Sequence, residues 1–170
     1  MIQKTELDFF FVIECPFYNS YGHKYEGQCK NGMKHGRGGY LWPSGDKYEG
    51  NWVNDKRHGR GTFTWINGDK YIGNWIDDQR TGRGLYIFRN GDRYIGQFKD
   101  GKYHGYGTFI WVNNGKYQGD YVDGYMYGKG VRTWPDGSKF DGKFEQGKFM
   151  KKYMIIFMTF YFQTNLLMEI

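Results

Sequence analysis

Residues Tyr48–Lys70 read YEGNWVNDKRHGRGTFTWINGDK, and Tyr71 opens a second passage of nearly the same form. Blocks of 23 residues begin at Tyr25, Tyr48, Tyr71, Tyr94 and Tyr117; a sixth starts at Phe140 and loses the pattern early. The third position of each block is glycine: Gly27, Gly50, Gly73, Gly96, Gly119 and Gly142. The fifth holds Cys29, Trp52, Trp75, Phe98, Tyr121 and Phe144. Aromatic, glycine and aromatic at alternate positions share one face of a short strand.

The second half of each block repeats the device. Gly36, Gly59, Gly82, Gly105 and Gly128 are followed two places on by Gly38, Gly61, Gly84, Gly107 and Gly130. Then come Tyr40/Trp42, Phe63/Trp65, Tyr86/Phe88, Phe109/Trp111 and Arg132/Trp134. The turn signals PSGD, INGD, RNGD, VNNG and PDGS follow. Asn-Gly and Pro-Asp-Gly between alternating runs mark β-hairpins, and a fixed period of this size marks a linear repeat array. The expected fold is all-β: an elongated, single-layer array of antiparallel β-hairpins, with five to six repeats. Glycine inside a strand is a liability, so its return in every block needs a cause. A ring lying across bare glycine backbone supplies one, and paired rings add ~0.5–1.5 kcal/mol per pair beyond area burial.

The totals agree. The chain has 170 residues, 27 of them glycine, 21% aromatics and a formal net charge of +6. Glycine far exceeds the usual ~7%, yet Ser and Pro are scarce, which excludes a flexible Gly/Ser linker. The aromatic content argues against disorder, and the scarcity of Ala and Leu against an all-helical protein. Two cysteines, Cys15 and Cys29, are too few for a disulfide framework, so their plain reading is a reducing, intracellular setting. Cys29, in an aromatic slot, reads as a small core residue. The N-terminus lacks signal-peptide form: Glu6 and Asp8 precede a short apolar run, Phe9–Ile13, ended by Glu14.

The pattern Y-E-G-x-W-x-[ND]-[GD]-x-x-H-G-x-G-x-[YF]-x-W-x-x-G-[DS]-[KR] resembles the MORN repeat, the membrane occupation and recognition nexus motif. The resemblance assigns repeats to residues 25–47, 48–70, 71–93, 94–116 and 117–139, with a partial sixth at 140–152. Residues 1–24 then form an N-terminal cap with a half-copy at Cys15–Lys24. Cys29 and Arg132 replace aromatics, Thr81 and Tyr127 replace His, Asn114-Gly115 shifts a turn glycine by one place, and Lys151 stands where a glycine is expected. The resemblance implies a non-enzymatic interaction module. Such arrays occur in cytoskeletal, ciliary and basal-body scaffolds and in membrane-junction proteins. They also serve as accessory arrays on phosphatidylinositol phosphate kinases and on a SET-domain lysine methyltransferase.

No catalytic constellation stands out. His35, His58 and His104 share a block position, but one repeat adds two strands and separates equivalent residues by ~9–10 Å. Metal ligands converge on one ion at ~2 Å, so a turn role before glycine is the better reading, and no cofactor or metal is expected. The GRG tripeptides match neither a phosphate loop nor a strand-to-helix glycine fingerprint.

Two surfaces are candidate binding sites. The first is an aromatic groove of Tyr48, Trp52, Phe63, Trp65, Tyr71, Trp75, Tyr86, Phe88, Tyr94, Phe98, Phe109 and Trp111. It suits a protein partner, a helical peptide among the options. The second is a pair of basic rows: Arg37, Arg60, Arg83 and Lys129, and Lys47, Lys70, Arg93, Lys116 and Lys139. A solvated polar face is their first reading, since Asp46, Asp69 and Asp92 dilute their field; anionic phospholipid, phosphoinositide included, is the ligand they suit. Nucleic acid is not expected, because no recognition motif accompanies the charge. Open array ends make a homodimer a further expectation, and the expected location is cytoplasmic, cytoskeletal or peripheral to a membrane. The apolar tail, residues 153–170, has three readings: a terminal cap first, a membrane contact second, a non-native end third. Its unbroken apolar core, Tyr153–Phe162, is shorter than the ~20 residues of a spanning helix.

Overall fold

A computed structural model of the chain describes residues 13–150. The readings made for residues 1–12 and for the 153–170 tail lie outside the described residues. The chain divides into two compact units, Met1–Arg89 and Asn90–Ile170, and in each the described residues form antiparallel strands joined by turns, with no helix.

The first unit runs β1 (Ile13–Glu14), β2 (Phe17–Tyr18), β3 (Lys24–Lys30), β4 (Met33–Leu41), β5 (Lys47–Val53), β6 (Lys56–Thr64), β7 (Lys70–Ile76) and β8 (Gln79–Ile87). From β3 to β8 each strand pairs antiparallel with the next, while β1 and β2 both pair with β3. The second unit runs β9 (Arg93–Lys99), β10 (Lys102–Ile110), β11 (Lys116–Val122), β12 (Tyr125–Thr133), β13 (Lys139–Glu145) and β14 (Lys148–Phe149), again paired in sequence. The antiparallel hairpin array expected from the period is the observed fold.

Each block contains two turns. The tight one joins its own strands through two residues of positive φ, such as Asn54 (49°) with Asp55 (68°) and Asp100 (51°) with Gly101 (77°). Asn, Asp and Gly tolerate that left-handed region, and it matches the twist of a hairpin. The longer turn leads to the next block and places a glycine at positive φ, as in Gly68 (96°). Asn114 itself takes this conformation (φ 67°), whereas Gly115 lies outside it. The glycine is displaced by one place, as the sequence indicates, but the turn itself stays in register, with asparagine in the left-handed site.

The period has a physical cause in the first-position tyrosine. Tyr25, Tyr48, Tyr71, Tyr94 and Tyr117 are all 0% exposed. The Tyr71 ring lies on Gly73 of its own strand and on Gly84, the partner of Gly73 across the ladder. A Cβ on Gly73 would fall 2.5 Å from Tyr71 Cζ and 2.8 Å from Gly84 Cα; one on Gly84 would fall 2.5 Å from Cε2 of the same ring. Beyond this glycine pair the ladder slips: Asn74 faces Thr81, leaving Gly82 and Arg83 unpaired in a bulge, with Gly82 at φ +56°. The Tyr71 hydroxyl donates to the Asn74 carbonyl beside the slip at 3.0 Å. Tyr25, Tyr48, Tyr94 and Tyr117 donate equivalently to Gln28, Asn51, Gln97 and Asp120.

Fifth-position rings lock the tyrosines edge-on. Tyr48 meets Trp52 at 5.0 Å and 85°, and Trp75 of the following block at 5.5 Å and 86°. In the second unit Tyr117 stands likewise between Tyr121 and Phe144. These T-shaped contacts bury rings without a second sheet. Trp52 Nε1 donates to the Gly38 carbonyl at 3.0 Å, and Trp75 Nε1 to that of Gly61 at 3.3 Å, tying each block to the one before.

Cys29 is buried as expected, but the reading of two unpaired cysteines is corrected: Cys15 and Cys29 form a disulfide, with Cα atoms 5.7 Å apart. Cys29 lies on β3, where its register partner is Ile13 of β1.

Gly73→Val should melt well below the parent, because overpacking costs ~1–3 kcal/mol and here the obstruction is a pinned ring and a backbone atom. Ile72→Thr, at a half-exposed site on the opposite face, should change stability by no more than ~0.5 kcal/mol. Strand propensity alone gives the reverse order, since Val suits a strand better than Gly. Thermal melts separate the two, and a Gly73→Val variant as stable as the parent would refute the ring-on-glycine account.

Candidate functional site

Strand alternation and register sort the candidate residues onto two faces. Tyr71, Gly73 and Trp75 face the same way as Phe63, Gly61 and Gly59 across the β6–β7 ladder. Ile72 and Asn74 face the opposite way, with Thr62 and Arg60. Within each unit the aromatic candidates thus occupy one face and the basic residues the other.

On the aromatic face the twelve candidates divide by depth. Tyr48, Trp52, Phe63, Tyr71, Trp75, Tyr94 and Phe98 are buried and form the packing beneath the surface. Trp65, Tyr86, Phe88, Phe109 and Trp111 are half-buried and present ring surface to a partner, as do Tyr40, Trp42 and Trp134. In the first unit these rings form a continuous row. Centroid separations run Tyr40–Trp42 4.5 Å, Trp42–Phe63 5.3 Å, Phe63–Trp65 4.6 Å, Trp65–Tyr86 5.3 Å and Tyr86–Phe88 4.6 Å. In the second unit Phe109 and Trp111 lie 4.6 Å apart, and the row continues through Arg132. The Arg132 guanidinium stacks 3.4 Å from the Trp111 centroid and 5.9 Å from Trp134. A planar cation on an indole face fills the slot the missing aromatic leaves.

The tenth block position, absent from both candidate sets, completes this face. Arg57 lies 4.4 Å from the Trp75 centroid and 5.1 Å from Phe63, while its Nε donates to Asp78 Oδ1 at 2.7 Å. Lys34 sits 5.2 Å from both Tyr40 and Trp52, with Nζ 3.0 Å from Asp55. Arg80 lies within 6 Å of Trp65, Tyr71 and Tyr86. In the second unit Tyr103 takes this position and stacks 3.8 Å from Tyr94. The position carries Lys34, Arg57, Arg80, Tyr103 and Met126 in successive blocks, so it follows no aromatic or glycine rule that the sequence displays. Exposed carboxylates, Asp55 and Asp78, pair with Lys34 and Arg57.

The basic rows lie on the opposite face. Arg37 faces Asn51 and Arg60 faces Asn74. Arg60 and Arg83 flank a shallow depression floored by Gly61, Gly73 and Asn74. Lys47 and Lys70 bracket Thr64 in adjacent ladders. In the second unit Lys116 and Lys139 bracket Thr133, Arg93 faces Ile110, and Lys129 faces Lys143. Among the described residues no carboxylate forms an ion pair with Arg37, Arg60, Arg83 or Lys129. Between the rows run exposed aliphatics, Ile72 at 42% and Ile95 at 50%.

Among the described residues no cluster of three or more His, Cys, Asp or Glu side chains could hold a metal ion. The turn aspartates are structural. Asp69 Oδ1 accepts the Arg89 N–H at 2.8 Å and Oδ2 the Tyr86 hydroxyl at 2.9 Å. Burial alone would raise its carboxyl, but these donors and Asn67 outweigh it and hold the group below the usual carboxylate range.

A family model described as MORN repeat matches residues 25–47, 48–70, 71–93, 94–116 and 117–139, well over half of the chain. No curated protein shows significant similarity. Among solved structures the chain is similar to the SAS-4 (dCPAP) TCP domain of Drosophila melanogaster, solved in complex with a proline-rich motif of Ana2 (dSTIL). That likeness has 12% identity and a TM-score of 0.43, and covers 77% of this chain and 90% of that one.

Burial pushes the phenols of Tyr25 and Tyr71 up to about 12. Burial, then the hydrogen bond to Asp69, does the same to Tyr86. Burial also raises Tyr48, Tyr94, Tyr117 and Tyr121. A folded pKa above the unfolded value of 10.0 stabilises fully below that pH, and the contribution fades as pH rises through the folded value. In alkali, the tyrosinate absorbance of these buried phenols should therefore appear together with loss of the β circular-dichroism signal above about pH 10. If every tyrosine ionises near pH 10 while the β signal persists, the seating of these phenols is wrong.

Proposed function

The chain belongs to the MORN repeat family, and we propose that it works as a non-enzymatic protein-binding scaffold that takes a peptide segment on its aromatic face. The carrying observation is the row of rings from Tyr40 to Phe88 in the first unit, half-buried except for Phe63, which is buried within it. The rings beneath are already packed, so the row is preformed and loses little side-chain freedom on binding. Trp and Tyr on a rigid support are the residues that dominate interface energetics. Because Asp55 and Asp78 offset Lys34 and Arg57, the groove favours an apolar segment with scattered polar groups over a strongly acidic one. Linkage to cytoskeleton, cilium, basal body or membrane junction is the setting this reading favours.

A second reading has one observation of its own. In each unit the basic residues share the face that exposes an isoleucine, Ile72 in the first and Ile95 in the second, an arrangement suited to anionic phospholipid: aliphatics enter the interface while Lys and Arg meet headgroups, at ~1 kcal/mol per basic residue. A role as accessory array to a phosphoinositide kinase carried elsewhere is a special case of this reading.

The two readings predict opposite variants. Protein partners recovered with the full chain should be lost with Trp65→Ala or Trp111→Ala, by about tenfold or more in affinity, and kept with Arg60→Glu/Arg83→Glu. Each variant is first shown folded by circular dichroism. Co-sedimentation with anionic vesicles that is abolished by the Arg pair and untouched by the Trp variants would move the function to the basic face.

A further inference from the structure

The first hairpin edge departs from the repeat at two places, and the two departures match. Cys29 stands at the fifth position, where the next two blocks carry Trp52 and Trp75. Cys15 stands 23 residues before Gly38, at the position where later blocks carry the glycine beneath the tyrosine ring. Trp52 bonds the carbonyl of Gly38 and Trp75 that of Gly61, each across a separation of 14 residues. The disulfide joins Cys15 and Cys29 across the same separation of 14. The covalent bond thus occupies the site of the Trp-on-Gly contact, at the one step between blocks that the first unit makes without a tryptophan.

Among the described residues the remaining contacts of this edge are few. β1 and β2 contribute two residues each, interrupted at Cys15-Pro16, and Pro16 has no N–H to give. Cys15 N–H donates to the Gly27 carbonyl at 3.0 Å. Phe17 meets Tyr25 and Tyr40 only at 6.1 Å, and it and Tyr18 are exposed. A reduced cysteine cannot span the space an indole fills. Strands this short and this wet lie at the low-stability end of any fold.

We propose that Cys15–Cys29 is a redox-operated latch on the N-terminal sheet edge. Oxidised, it holds residues 13–18 against β3. Reduced, it lets them fray and frees the backbone N–H and C=O groups of Lys24–Lys30 for another strand, the usual chemistry of an open edge. The reductant is a small thiol or a dithiol protein. Its thiolate attacks one sulfur, forming a mixed disulfide and expelling the other cysteine as thiolate. A second thiol then displaces the remaining cysteine. Two electrons pass to the Cys15–Cys29 bond, the reductant leaves as its disulfide, and protons end on the two cysteines.

The full chain in glutathione buffers of rising reduced-to-oxidised ratio tests the latch by hydrogen exchange and thiol alkylation. Alkylation should label both cysteines together as the ratio rises. Exchange of residues 13–18 and of the β3 edge should accelerate by about tenfold or more, as loss of a short-loop cross-link implies, while the blocks from Tyr48 onward stay protected. Cys15→Gly/Cys29→Trp, which installs the contact of the later blocks, should keep the edge protected whatever the buffer. Unchanged exchange on reduction overturns the proposal, and so does loss of protection across all blocks, because the latch acts on the edge alone. A double variant as labile as the reduced parent overturns the equivalence of disulfide and Trp-on-Gly contact.

Discussion

Everything in this sheet depends on a phenol ring lying flat on two facing glycines. A one-layer sheet has no opposite layer to bury its apolar side chains, and burial is the main stabilising term in folding. Here the sheet serves as its own cover. The Tyr71 ring excludes water from the backbone of Gly73 and Gly84, and its hydroxyl takes the Asn74 carbonyl at the bulge. Trp75 then closes the side of the ring. One residue supplies apolar burial, a hydrogen bond and a wedge for the next block, so the arrangement must be renewed in every block.

The bulge follows from the same constraint. A ladder running straight past the glycine pair would keep every backbone group paired and leave the phenolic hydroxyl without an acceptor in a buried place, which is costly. The slip at Gly82-Arg83 bends the strand and places a carbonyl at the ring's far end. It also sends Arg83 to the basic face. Packing on one face thereby spaces the charges on the other: the 23-residue return that seats the tyrosines sets the interval between Arg37, Arg60 and Arg83.

The repeat, its hairpins and the ring-over-glycine contact were legible because each writes the same residue types at the same interval. Three things were not. The glycines at the twelfth and fourteenth positions look alike as Gly59 and Gly61, yet one holds a left-handed bulge and the other lies under a ring; alternation alone treats them as one kind. The cations over the aromatic face were invisible for a different reason. Arg57 reads as a surface charge until the fold brings Trp75 beneath it and Asp78 beside it, from the following block. Depth was hidden similarly, since Trp65 and Trp75 are the same residue type ten places apart, yet Trp75 is buried and Trp65 half-buried.

The departures from the pattern are resolved between neighbouring blocks, as a linear array requires when each unit touches only the next. Asp46, Asp69 and Asp92 each accept the N–H of the residue following the tryptophan or phenylalanine one block on: Ile66, Arg89 and Val112. The fourth block has Gly115 instead of aspartate, and the residue it would serve is Pro135, which has no N–H to offer. The carboxylate is absent where its donor is absent. Arg132, lacking a ring, reaches back to Trp111 of the preceding block. Cys29, lacking an indole, reaches back to Cys15. In each case the substitution makes physical sense only with its partner about one block away, so a block of this sheet is defined by its contacts with its neighbours as much as by its own 23 residues.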